Sequence, residues 1–272
     1  MSAKHPEVSE ERTAKNITAF FILTFVLSVP PYIIAALVPQ DMVMLTGLII
    51  ALAPITAALI ISYRENGSGG AKGLLSRSFD TRRITNKVWL IPILCFWPVL
   101  FLLAYGSTVS IGETVPDPLF PVVAAPILFV LFFVFALFEE VGWMGYAFDP
   151  MENRWNALKA SLLLGVIWAI WHLPLYILAG LDPLWITGQL VSLVAIRTLI
   201  VFVFNNTGKS VFAVILFHAM YNLCALLVTS FYTATGHLIT STLIVFTELA
   251  VIILWDPDTL TQFRFRKVER AH

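Results

Sequence analysis

Residues Phe120–Phe148 read FPVVAAPILFVLFFVFALFEEVGWMGYAF. No side chain from Phe120 to Phe138 is polar. A helix needs about 20 mainly apolar residues to cross a hydrocarbon core of about 30 Å. The stretch therefore reads as a membrane span, and it carries two adjacent glutamates, Glu139 and Glu140, where a span should carry no charge. The rest of the chain has the same character. Of its 272 residues, 58% are hydrophobic and 12% are charged. Soluble chains run at roughly 45–50% and 25%. So few charges cannot clothe a soluble core of this size. The composition excludes secreted disulfide scaffolds, disordered chains and nucleic-acid binders. Lys+Arg and Asp+Glu both number 17, so net charge points to no polyanionic partner. Cys95 and Cys224 lie inside apolar runs and read as small lipid- or core-facing residues.

Working outward from 120–148 gives eight spans. They are Ile17–Val38, Met42–Tyr63, Val88–Tyr105, Phe120–Phe148, Ala157–Leu178, Trp185–Phe204, Ser210–Tyr232 and Leu238–Trp255. The fold class is a polytopic all-α membrane bundle, spanning 17–256 between an N-terminal tail (1–16) and a basic C-terminal tail (257–272). The first run is too long for a signal-peptide core and reads as an uncleaved anchor. An even count puts both termini on one side. That side then holds Lys4, Arg12, Lys15, Arg64, Lys72, Arg77, Arg82, Arg83, Lys87, Arg154, Lys159, Lys209, Arg264, Arg266, Lys267 and Arg270, sixteen of the seventeen basic residues. The opposite loops hold Asp41, Glu113, Asp117 and Asp182 and no Lys or Arg. The positive-inside rule makes the basic side cytoplasmic. The stretch Arg64–Lys87 reads as a Gly/Ser-rich basic loop that signals topology.

Only a few ionisable groups remain within the spans: Glu139, Glu140, His172, Arg197, His218 and Glu248. Each costs about 2.5–3.5 kcal/mol on insertion scales and so needs a reason to be there. At 1.5 Å per residue, Glu139 lies about 15 Å above the cytoplasmic end of its helix, His172 about 18 Å and His218 about 13 Å. Asn222 lies one turn beyond His218 on the same face. Three helices thus bring Glu, His and His/Asn to one level. A carboxylate beside a His can hold and deprotonate water. A His and an Asn on one face can donate to an oxyanion. That set suits hydrolysis of an amide or ester inside the membrane. No Gly-x-Ser-x-Gly elbow, His-Glu-x-x-His helix or complete Gly-x-x-x-x-Gly-Lys-Ser/Thr phosphate loop points elsewhere. Arg197 and Glu248 stand apart by spacing, and the favoured reading is a structural ion pair between them.

These residues resemble a known family. EEVGWMGYA (139–147) resembles the EExxxR motif of the CAAX protease and bacteriocin-processing family, also called the Rce1-like or Abi family of intramembrane proteases. WAIWHLP (168–174) resembles its FxxxH motif, with Trp168 in place of Phe. FHAMYN (217–222) resembles its HxxxN motif, preceded by an Asn/Gly-rich turn, FNNTGKS (204–210). The resemblance covers about 120–230. It implies that Glu139 and His172 activate water, that His218 and Asn222 stabilise the oxyanion, and that Glu140 supports the site. It further implies a membrane-embedded or lipidated peptide or protein as substrate. Family members have been described as glutamate proteases and as metalloproteases. No cofactor is the favoured expectation here, and Zn2+ held by Glu139, His172 and His218 is the alternative.

One position departs from the motif. Met144 stands where the motif has Arg. Either another cation takes that role, with Arg197 the candidate at similar depth, or Glu140 is more readily protonated here, or activity is weak or altered. Met144→Arg is expected from the sequence to leave the fold intact. The first reading is an intramembrane endopeptidase in the plasma membrane of a bacterium or archaeon. The others are a non-catalytic scaffold on the same core and a proton- or cation-coupled transporter using Glu139, Glu140 and Glu248. No pattern in the chain fixes an oligomeric state.

Overall fold

The computed structural model describes residues 6–265, so Lys4, Arg266, Lys267 and Arg270, and the ends of both expected tails, lie outside the described residues. Among the described residues the chain is all-helical, with one isolated bridge pair, Trp255–Phe263. The helices are α1 (Pro6–Leu37), α2 (Val43–Ile50), α3 (Leu52–Arg77), α4 (Leu90–Ser110), α5 (Ala125–Gly142), α6 (Asp149–Arg154), α7 (Ala157–Leu178), α8 (Pro183–Asn206), α9 (Val211–Leu227) and α10 (Ala234–Leu254). Among the described residues, seven helical segments are long and apolar enough to cross a membrane. The eighth expected span is assembled from the 17-residue α9 and a short 3-10 turn, Thr229–Tyr232. At 1.5 Å per residue α9 alone reaches only about 25 Å.

The polarity of the bundle is inverted relative to a soluble protein. Large apolar side chains such as Ile22, Leu102, Ile127 and Phe246 face outward, while Glu139, Glu140 and Arg197 are buried. Hydrocarbon outside and polar groups inside is the arrangement a bilayer imposes. The chain is a multi-pass integral membrane protein.

Side-chain caps punctuate the helices where the spans begin. Asn156 accepts from the Lys159 N–H at the start of α7, and Asp182 accepts from Leu184 and Trp185 at the start of α8. Ser210 accepts from Ala213 at the start of α9. These side chains satisfy N–H groups that a helix start leaves open. Helices α5, α7, α8 and α9 form the centre, with α3 against α5, α4 against α9, α10 against α8 and α1 against α3. Small residues allow the closest approaches. A Cβ on Gly142 would sit 2.7 Å from both the Cβ and the carbonyl oxygen of Pro54 in α3. Gly142→Ala is therefore expected to lose about 1–3 kcal/mol through overpacking. Gly106→Ala, with nothing within 4 Å of the added carbon, is the control. Thermal unfolding in detergent should separate the two, and equal melting temperatures would contradict this packing.

The cytoplasmic end, as the sequence orients it, departs from the expected boundaries in three places. The helix bearing Glu139 does not stop at Asp149-Pro150. It passes through a π-helical turn, Trp143–Phe148, into α6, where Pro150 occupies the first turn and its missing N–H is not needed. The stretch Arg64–Lys87 is largely helical: α3 breaks at Asn66-Gly67, where Gly67 takes φ +63°, and then resumes to Arg77. Arg77 reaches back to the π-turn, donating to the Gly145 carbonyl at 3.2 Å and pairing with Asp149. Lys209 pairs with Asp149 at 2.9 Å and Glu152 at 2.6 Å. Burial works against the Lys209 ammonium, yet Glu152 and Asp149 hold its pKa above the ordinary lysine value. Finally, the described part of the C-terminal segment is fastened down. The carbonyls of Pro257 and Asp258 accept from the Leu158 and Ala157 N–H groups at the start of α7.

Candidate active site

The last turn of α5 delivers Glu139 and Glu140 to the bundle interior, 7% and 0% exposed. Adjacent helical residues point about 100° apart, so the two carboxylates reach different partners. Glu140 Oε2 accepts from Arg197 Nη1 of α8 at 2.8 Å, and its Oε1 meets His218 Nδ1 of α9 at 2.8 Å. Glu139 Oε2 accepts from the indole Nε1 of Trp168 in α7 at 2.7 Å.

Trp168 joins the site together. It is 1% exposed. The Arg197 guanidinium carbon lies 4.1 Å from its ring centre, a close cation–π contact. That contact matters because Arg197 Nε and Nη2 have no hydrogen-bond partner among the described residues. The Trp168 ring also meets His172 and His218 edge to face, with centroids at 5.0 and 5.4 Å.

His172, one turn beyond Trp168, places Nδ1 2.9 Å from the Trp168 carbonyl. A carbonyl only accepts, so Nδ1 carries the proton and the neutral ring presents its Nε2 lone pair. Trp171 and Tyr176 hold the ring on either side, with centroids at 4.8 and 5.8 Å. His218 has Nδ1 committed to Glu140, which leaves its Nε2 as the free atom. The structure thus gathers Glu139, Glu140, His172 and His218 around one indole. Asn222 is half-buried on the face of α9 that carries His218, and no hydrogen bond holds its amide among the described residues. No three His, Cys, Asp or Glu groups among the described residues stand close enough to hold a metal ion together.

The expected Arg197–Glu248 ion pair is not formed. Arg197 pairs with Glu140, and Glu248 in α10 keeps one oxygen without a hydrogen-bond partner among the described residues. Helical depth fixes the height of a residue but not the direction of its side chain. Glu139, Glu140 and Glu248 were all available near Arg197's level, and Arg197 on α8 meets Glu140 on α5. Arg197 is also the cation that answers the motif's missing Arg.

Met144 is fully buried in the π-turn. The expectation that Met144→Arg leaves the fold intact therefore reverses. Glu140 already has its cation, so a second buried guanidinium would lack a partner, costing several kcal/mol. Met144→Arg should lower the detergent melting temperature strongly and Met144→Leu only slightly. A stable, well-dispersed Met144→Arg protein would show that the π-turn leaves room for a cation. Trp168 itself is the part that residue spacing overlooked, although the exchange of Phe for a side chain with an N–H donor was the available signal.

Two comparisons with known proteins bear on the family resemblance. Residues 121–224 match the family model described as type II CAAX prenyl endopeptidase Rce1-like. The chain is 28% identical over 228 residues to a protein of Methanococcus maripaludis named CAAX prenyl protease 2, a match covering 79% of this chain and 82% of that protein. The family resemblance carried by the three motifs is thereby borne out, in a relative spanning most of the chain and in an Rce1-like match across the segment that holds all five site residues.

Proposed function

We propose that the protein is an intramembrane endopeptidase that hydrolyses a peptide bond of a prenylated or otherwise membrane-associated peptide. One observation carries the reading. Glu139 and His172 each have one polar atom fixed by Trp168 and one with no hydrogen-bond partner among the described residues, so two proton acceptors are held in place without being used up. Water bound between Glu139 and His172 Nε2 gives a proton to Glu139, and its oxygen attacks the peptide carbonyl carbon. His218, through Nε2–H, and Asn222, through its amide, donate to the oxyanion. In this role His218 has a proton on each ring nitrogen, with Nδ1–H directed to the Glu140 carboxylate and Nε2–H to the oxyanion. When the C–N bond breaks, Glu139 passes that proton to the leaving nitrogen and water's second proton stays on the new carboxyl group, giving one carboxylic acid and one amine, which then ionise to carboxylate and ammonium.

Glu140 plays a different part from its neighbour. Its charge is matched by Arg197, so it orients His218 rather than taking a proton from water. Arg197 also removes the motif-based reason for reading the chain as an inactive scaffold. The reading has both termini cytoplasmic, as the basic loops indicate, with substrate entering between helices from the bilayer.

No step is assigned to a metal. Activity of the purified protein should survive a strong chelator. Loss restored specifically by zinc would reassign Glu139, His172 and His218 as ligands. The cellular test compares membrane-peptide profiles of cells carrying wild type and Glu139→Ala. Peptides that accumulate uncut only in the variant are the expected result, and identical profiles would count against the proposal.

A further inference from the structure

Trp168 raises a question that the proposed reaction does not answer: how two adjacent carboxylates in one dry bundle are kept from sharing one cation. A lone Arg between Glu139 and Glu140 would neutralise both partly and fix neither. The observed geometry avoids this. The indole N–H lies in the ring plane and meets Glu139 at 2.7 Å, while the guanidinium lies over the ring face at 4.1 Å and donates to Glu140. One ring thus gives Glu139 a neutral donor and keeps the cation on the Glu140 side.

We propose that Trp168 is a positioning residue, whose indole N–H fixes the Glu139 carboxylate while its ring face confines Arg197 to Glu140. The proposal rests on the reading of Glu139 as the group that takes water's proton. It also links the chain's two departures from the motifs. Where the Arg of EExxxR has become Met144, the Phe of FxxxH has become a residue that can donate. Phenylalanine at 168 would keep an aromatic face but lose the donor, together with part of the buried ring volume. A buried indole that merely satisfies its N–H would affect stability but leave turnover in the folded enzyme unchanged.

Two measurements test this. In detergent-solubilised full-length protein with 15N-labelled indoles, the Trp168 Nε1–H resonance is identified by its disappearance in Trp168→Phe. It should shift in Glu139→Gln and stay put in Glu248→Gln. With a farnesylated peptide ending in Cys-aliphatic-aliphatic-X as probe, Trp168→Phe should lower kcat about 10–100-fold with KM within about threefold. An indole resonance indifferent to Glu139→Gln overturns the proposal, whether or not Trp168→Phe folds well. A folded Trp168→Phe with wild-type kcat overturns it too, while leaving the endopeptidase reading intact if Glu139→Ala is dead. Full cleavage by Glu139→Ala would defeat the reading of Glu139 as the group that takes water's proton, and the positioning role with it.

Discussion

Arg197→Met should destabilise the protein by about 3–5 kcal/mol, because it leaves the Glu140 charge buried without its cation. The effect is large because neither partner touches solvent: both side chains are 0% exposed. Glu140→Gln should also destabilise, by stranding the guanidinium. The double variant Arg197→Met/Glu140→Gln should recover much of the loss, since removing both charges also removes the desolvation penalty they share. A double-mutant cycle in detergent reads this directly. The same cycle with Glu248→Gln in place of Glu140→Gln should be additive, because Glu248 is not Arg197's partner. Coupling to Glu248 and none to Glu140 would show that the pair is misassigned.

Glu139→Gln should lower turnover by about 10²–10⁴-fold, the range supplied by general acid–base groups, with little change in stability. Gln is the informative substitution because its amide oxygen still accepts from Trp168 Nε1, whereas Ala would leave that buried donor unsatisfied. The loss then reports the missing proton acceptor and not a disturbed fold. His172→Ala should act in the same direction. His237 provides the contrast. It is 2% exposed and stacks on Trp185 at 4.3 Å, but it lies on α10 outside the site. His237→Ala should keep its turnover per folded molecule. Parallel losses at His237 and Glu139 would mean that the bundle responds to any polar deletion and that the chemistry is not localised.

The spans were the most legible part of the chain because a bilayer imposes one rule on length and polarity. Ala157–Leu178 is the same segment in the sequence reading and in the structure. Breaks within helices were not legible in the same way. The π-turn at Trp143–Phe148 leaves hydropathy untouched, and the helical piece after Gly67 is hidden by its glycines and charges. The convergence of Glu139, Glu140, His172 and His218 was readable from depth, since expensive groups at one level have reason to meet. Partner choice was not: depth left Arg197 with Glu139, Glu140 and Glu248 as candidates, and only the rotation of α8 chose Glu140. Trp168 was visible as a departure from a motif, but its contacts with Glu139 and Arg197 depend on how α7 sits against α5 and α8, which no spacing rule encodes.

The most direct test of the account is mass spectrometry of a farnesylated peptide ending in Cys-aliphatic-aliphatic-X, incubated with purified protein in lipid vesicles. The account predicts release of the terminal tripeptide by wild type and an intact peptide with folded Glu139→Gln. Equal release by both proteins would contradict it.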